Sequence, residues 1–156
     1  MHLTAQTDYA LRSLMFLAVR DSKRSTIQAM AEHYGISRGH LMALIHRLGS
    51  LGFVETTRGR GGGVRLARPA SRIRLGHVIR AVEPHFRLVE CFSAESNNCL
   101  ITDPCRLRAV LDTALEAWFR VLNEYTLADL VRDNHEVLQL LTTPPSRQLA
   151  RKRRRS

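Results

Sequence analysis

The chain has little that would suit a membrane protein, a secreted scaffold or an enzyme. No apolar run approaches the ~20 residues that a membrane span requires. Polar Gln6, Thr7, Asp8 and Arg12 interrupt the first segment, so the basic-then-apolar layout of a secretory signal is missing. Cysteine is scarce, at three in 156 residues, and an odd number without a signal argues against a disulfide framework. There is no Cys-x2-Cys pair, which disfavours a typical structural zinc site. No Ser/His/Asp set, phosphate loop or pair of catalytic carboxylates is present. The glycines at 59–63 lack the strand-then-helix setting of a nucleotide loop. The expectation is a soluble, cytoplasmic chain without enzymatic activity, built as one domain or one domain with an appendage.

Acidic residues are scarce where the chain begins. Residues 1–89 hold 14 Lys/Arg against 5 Asp/Glu, and residues 90–146 hold 4 against 9. Residues 147–156 then add 6 basic residues and no acid, for a formal net charge of +10 over the chain. A basic half-domain suits a polyanion such as nucleic acid, although a merely solvated surface has the same composition.

Apolar spacing supplies the elements. Leu11, Leu14, Met15 and Ala18 share one helical face over residues 4–20, with Thr4 as the N-cap. A short helix is predicted over Thr26–Tyr34, with Ile27, Met30 and Ala31 inward. Gly35 and Ile36 turn the chain, and Ser37 caps a third helix to Leu51, closed by Gly52. Phe53–Thr57 and Val64–Ala67 read as strands around the turn Arg58-Gly59-Arg60-Gly61-Gly62-Gly63. Two short helices with a glycine turn, followed by a basic hairpin, predict a winged helix-turn-helix. Leu75–Val82 reads as a further helix and His85–Pro104 as a loop, with Pro104 in the first turn of the next helix and Asp103 or Thr102 as its cap.

The strongest periodicity lies in Arg106–Tyr125. Leu107, Leu111, Ala114, Trp118, Val121 and Tyr125 form a heptad-like seam. About three heptads are marginal alone in water, so the helix needs another surface. A second copy of the chain is the favoured one, and packing within the chain is the alternative. Thr126 caps a last helix through Val131 or beyond. The fold class is therefore mainly α: a winged helix-turn-helix with a two-stranded β wing over residues 1–83, a cysteine-bearing loop at 84–105, and a long dimerisation helix with a short terminal helix at 106–141. Residues 142–156 read as a disordered basic tail, which either adds non-specific phosphate affinity or, more plainly, is only solvated.

Two candidate sites follow. The N-terminal end of the second helix of a helix-turn-helix reaches base edges, which brings Ser37, Arg38, Gly39, His40 and Met42 toward double-stranded DNA. Arg38 would grip a guanine edge or a phosphate. Arg58, Arg60 and Arg65 on the wing would clamp the backbone or enter the minor groove; protein docking is the competing use of such a module. The second site is Cys91-x7-Cys99-x5-Cys105. Iron–sulfur clusters take thiolates from looser spacings than zinc does. Three thiolates leave one iron of a four-iron cluster with another ligand or an open position. A helix N-terminus beside Cys105 favours its thiolate, which suits ligation and equally a redox-active thiol. Asp8, His85, Glu90, Glu95 and Asp103 are candidates for a fourth ligand, though Asp8 reads more simply as a helix-start acid and His85 as a surface residue.

The stretches Leu3-Thr4, Thr7-Asp8-Tyr9-Ala10-Leu11-Arg12, Tyr34-Gly35-Ile36-Ser37-Arg38-Gly39-His40-Leu41, Arg58–Leu66, Pro69-Ala70-Ser71, Val82-Glu83-Pro84 and Asn123–Val131, with the cysteine loop, resemble the Rrf-two (Rrf2) superfamily of regulators and, within it, the nitric-oxide-sensing repressors. The resemblance covers nearly the whole chain apart from the basic tail. It implies a homodimer with paired long helices and a [4Fe–4S] cluster on Cys91, Cys99 and Cys105, with [2Fe–2S] as the alternative. It implies that Asp8 from the partner subunit is the fourth ligand, and that nitric oxide releases DNA and so derepresses detoxification genes. The seven-residue gap after Cys91 is longer than in some relatives. A histidine three residues after the last cysteine would mark the iron–sulfur biogenesis branch; this chain has Arg108 there. A thiol redox switch, a zinc site or a different iron–sulfur signal are the competing readings. Pro104-Cys105-Arg106 is also similar to the nucleophile motif of DNA alkyl-transfer repair proteins, but no activating histidine follows it.

Overall fold

A computed structural model describes residues 2–20, 23–59, 61–93 and 95–143. Arg60 and the basic tail from residue 144 onward lie outside the described residues. The first three helices are α1 (Ala5–Ala18), α2 (Ile27–Tyr34) and α3 (Arg38–Ser50). Thr4 and Ser37 cap α1 and α3 as expected, accepting from the backbone N–H groups of Thr7 and His40, while Thr26, expected as the first residue of the second helix, stands outside it as its cap and accepts from the Ala29 N–H. Between α2 and α3, Gly35 adopts φ +65°, a left-handed conformation that a side chain would strain. The chain can therefore reverse within three residues and set α3 across α2.

The strands β1 (Val54–Thr57) and β2 (Gly63–Leu66) pair antiparallel, with Glu55 opposite Arg65. Ser25 also pairs with Val64 through two backbone bonds of 2.8 and 2.9 Å, which ties the loop before α2 to the wing. Ala10, Leu14, Leu17, Met30, Leu41, Ile45, Leu48, Val64 and Val78 fill one core beneath α1. The helix α4 (Leu75–Val82) closes it, and Glu83 ends that helix.

The long helix α5 (Arg106–Glu124) starts later than its sequence suggests. Pro104 is not in its first turn, and neither Asp103 nor Thr102 caps it. Cys105 is the N-cap, in extended conformation, because its N–H closes a turn onto the Thr102 carbonyl at 3.4 Å and carries the chain past the proline first. The helix packs on α4 at a close approach: a Cβ on Gly76 would stand 2.3 Å from Asn123 Oδ1. Phe119 is the anchor. It is 2% exposed, meets Phe86 and Trp118 edge-on at 4.8 Å each, and lies under the Arg80 guanidinium at 3.8 Å. Leu107, Val110, Val121 and Tyr125, on the opposite stripe, are half or more exposed. The heptad-like seam is thus split: Leu111 and Trp118 are half covered by their own chain, and the rest faces outward.

After α5 the chain returns. Leu75 and Leu127 bond across to Tyr125 and Ile73, and Arg74 donates to the Asn123 carbonyl. The helix α6 (Leu127–Val131) packs on α1, and a further helix, α7 (His135–Thr142), follows where the sequence reading had only an open end. Phe119→Ala should cost about 3–5 kcal/mol, read as a lower urea midpoint, because it empties the contact that holds α5 to α4. A loss below about 1 kcal/mol would mean that α5 is held elsewhere.

Candidate functional site

Ser37, Arg38, Gly39 and His40 form the exposed first turn of α3, with Met42 exposed one turn on. Ser37 is occupied as the cap, so its hydroxyl is partly committed to the His40 N–H, at 3.3 Å. Arg38 and His40 have no such duty within the chain's own core and face outward. Arg58 is exposed at the wing turn. Arg65 differs: its Nε and Nη2 donate to Glu55 at 2.9 and 2.7 Å across the strand pair. That exposed pair adds little stability, but it holds Arg65 along the wing instead of leaving it free. Arg60 cannot be placed, since it lies outside the described residues.

Two basic residues at this surface escaped the sequence reading. The Ser25–Val64 pairing brings exposed Lys23 and Arg24 alongside the wing, and Arg24 donates to the Thr57 hydroxyl at 2.5 Å. Adjacent cations just before the cap of α2 were the available signal.

The position of α3 is set at a corner. Arg47 on α3 donates to Gln6 Oε1 on α1 at 3.1 Å and to the Ala81 carbonyl on α4 at 3.4 Å. In the same corner Glu83 is 8% exposed and accepts from the Thr4 N–H and hydroxyl, each at 3.1 Å, and from the Thr7 hydroxyl at 2.5 Å. Burial opposes the Glu83 charge, but the hydrogen bonds from Thr7 and Thr4, with His85 nearby, more than offset it and hold its pKa below the ordinary carboxylate value. The carboxylate also faces the N-terminus of α1, where negative charge is favoured. Asp8 follows Thr7 directly. Both of its oxygens are engaged by Arg12, at 2.8 and 2.9 Å, and the pair is about half exposed.

From Glu83 the chain runs straight into the cysteine loop. Cys91 lies in a short 3-10 turn (Glu90–Phe92), Cys99 in the loop and Cys105 at the cap of α5. All three are unpaired and half-buried. Polar side chains brace the loop: Glu90 accepts from the Asn98 N–H at 2.7 Å, Asn97 Oδ1 from the Cys99 N–H at 3.1 Å, and the Thr102 hydroxyl donates to the Cys99 carbonyl at 2.7 Å. Of the other candidate ligands, Glu90 is therefore engaged in bracing. His85, Glu95 and Asp103 are exposed, and Glu95 stands 4.0 Å from Arg87. Among the described residues, no three His, Cys, Asp or Glu side chains converge on one point, so a single chain does not bring the three sulfurs and Asp8 together. The donor set still suits iron: three free thiols on one braced loop, with no competing disulfide. Beside Cys99, Leu100 and Ile101 are 99% and 61% exposed, an apolar edge open to a covering surface.

Residues 3–133 match the Rrf2 family, described as iron-dependent transcriptional regulators. The chain is 50% identical over 142 residues to the HTH-type transcriptional regulator NsrR of Bacillus subtilis, which spans 90% of this chain and 97% of that one. Its fold is similar to that of a transcriptional regulator from Listeria innocua, with a TM-score of 0.69 and 29% identity over 86% of this chain and 88% of that one. It is also similar to T. potens IscR, with a TM-score of 0.67 and 25% identity over 85% and 88%. Among the described residues no helix is long and apolar enough to cross a membrane.

The corner yields a pH-dependent expectation. A group with a lowered native pKa stabilises the fold above its unfolded pKa, and that stabilisation fades as pH falls through the native value. Glu83→Gln should therefore lower the urea midpoint at neutral pH, by about 1–3 kcal/mol. The gap to the unaltered chain should close in acid. A gap that persists or widens toward pH 3 would contradict an ionised Glu83 in this role.

Proposed function

The chain belongs to the Rrf2 family of transcriptional regulators, and from that premise we propose that it is a dimeric repressor whose cysteine loop holds an iron–sulfur cluster through which nitric oxide governs its hold on DNA. DNA binding by the winged helix-turn-helix is supported by the relative in Bacillus subtilis, an HTH-type transcriptional regulator. The signal and its cofactor rest on the loop: three free, half-buried thiols within fifteen residues, rooted directly at the end of α4.

Cys91, Cys99 and Cys105 would each give a thiolate to a [4Fe–4S] cluster, and Asp8 of a second copy would complete the set. When bound, the cluster supplies iron that reacts with nitric oxide. Everything else falls to the chain's own residues. Glu90, Asn97 and Thr102 hold the loop backbone, and Cys105 stands at the N-cap of α5. Asp8 sits on α1 next to the Thr7–Glu83 bond, and Arg47 ties α1 and α4 to the reading helix. A change in what Asp8 binds therefore acts on the same corner that fixes Ser37, Arg38, Gly39 and His40. Arg38 and His40 are proposed to read base edges, with Arg58, Arg60 and Arg65 supporting the wing on the backbone.

The dimer rests on the outward stripe of α5. Leu107, Val110, Val121 and Tyr125 are 61%, 63%, 53% and 50% exposed, an apolar row a soluble monomer would rarely leave uncovered. Val121→Glu should convert the dimer to monomer in sedimentation while leaving the single-chain helical content unchanged. A dimer that survives would place the interface elsewhere.

The cluster is tested by spectroscopy of protein prepared without oxygen. The intact chain should be brown, carry iron and sulfide, and lose its visible absorbance in each of Cys91→Ala, Cys99→Ala and Cys105→Ala. Colourless protein that takes up no iron on reconstitution, or stoichiometric zinc in place of iron, would overturn this reading.

A further inference from the structure

The helix α3 presents two faces of unlike chemistry. Leu41, Leu44, Ile45 and Leu48 are buried in the core. Gly39, Met42, Ala43 and His46 repeat the same helical spacing on the opposite side, and all four are exposed. Of these only His46 has a polar side chain. From Arg38 to Ser50 the helix holds no Asp, Glu, Asn or Gln. The side chains that pair bidentately with adenine, or accept from cytosine, are therefore absent from it. Arg47 is committed to Gln6 and Ala81. Arg38 remains for a guanine edge or a phosphate, but the centre of the outward face is apolar: Met42, 53% exposed, beside Ala43.

Gly39 marks the same spot. Glycine weakens a helix, because it gives up more backbone freedom on folding than any other residue. The fold does not call for one here. Gly39 is not among the glycines with positive φ. A Cβ built on it would meet no atom within 4 Å among the described residues. Gly76 is the contrast, since a Cβ there would collide with Asn123 of the same chain. Gly39 instead keeps clear a space outside the protein, one turn before Met42. Exposed Lys23, Arg24 and Arg58 lie at the neighbouring wing corner and attract phosphates. The partner that suits this clearing is therefore a nucleic-acid groove.

One base carries an apolar group into the major groove, and that group is the C5-methyl of thymine. We propose that Gly39, Met42 and Ala43 form a seat for thymine methyl groups, through which the reading helix selects A·T pairs by apolar contact. The seat rests on DNA binding by α3 and not on the cluster. Gly39 lets the helix backbone come close to the base edges. The Met42 side chain, unbranched and polarisable, follows the methyl surface, and Ala43 completes the contact.

The test starts from a duplex enriched out of a random-sequence pool by the full chain prepared without oxygen. That duplex is made once with thymine and once with uracil throughout. Uracil keeps every hydrogen-bonding group of thymine and lacks only the methyl. In anisotropy titrations the uracil form should bind more weakly, by about fourfold for each methyl seated. Met42→Ala should bind the thymine form more weakly and lose most of the discrimination between the two. Gly39→Ala should also weaken binding to the thymine form while its urea midpoint holds or rises, because the backbone there suits alanine. Equal affinity for the two duplexes would overturn the seat and leave DNA binding intact. Discrimination kept in full by Met42→Ala would overturn it as well, since the methyls would then be read elsewhere. So would a Gly39→Ala form that binds as tightly as the unaltered chain. If the pool yielded no bound duplex, DNA binding itself would fail, and the seat with it.

Discussion

A buried carboxylate is tolerated only when its charge is well partnered, and Glu83 is partnered by the first turn of α1. Thr4 and Thr7 give it three hydrogen bonds, and the helix start gives it a favourable field. That single group fixes how the end of α4 meets the beginning of α1. Arg47 then locks α3 into the same junction through Gln6 and Ala81. The cysteine loop departs from the residue after Glu83, and Asp8 follows Thr7. The sensor's root, the proposed fourth ligand and the support of the reading helix are thus all within a residue or two of one contact. A displacement there would act directly on α3, whose first turn is the proposed DNA-reading surface.

The second half of the chain works by division of labour within one helix. One stripe of α5, centred on Phe119, serves the protomer by gripping α4 and Phe86. On the other stripe Leu107, Val110, Val121 and Tyr125 are half or more exposed among the described residues. The N-terminus of the same helix carries Cys105. A helix that both braces the reader and pairs with a second copy would hold two cysteine loops in a fixed relation to two reading heads, as a symmetric DNA site requires.

Much of this was legible before any coordinates. Hydroxyl caps at Thr4 and Ser37, Gly35 at its turn and the glycine-rich hairpin are local signals, and local physics decides them. The misses share the opposite character. Pro104 precedes α5 and is not in its first turn, because the turn onto Thr102 competes with helix initiation. Phe119 was absent from the expected seam because a heptad template follows one stripe, and α5 has two. Glu83, Arg47 and Arg20 act over 34 to 121 residues of separation, which no periodicity encodes. The three cysteines were easy to notice, yet their convergence is not a property of the chain alone. Thiolates repel one another, and a cation is what gathers them.

On the proposed reading, the state of the metal at the cysteine loop sets the affinity of α3 for DNA. Its most direct test is a nitric oxide titration without oxygen, with the protein's visible absorbance and the anisotropy of labelled DNA from its own promoter recorded on one sample. DNA should be released in step with loss of the iron–sulfur absorbance. Absorbance that changes while DNA stays bound, or release that proceeds equally in iron-free protein, would contradict it.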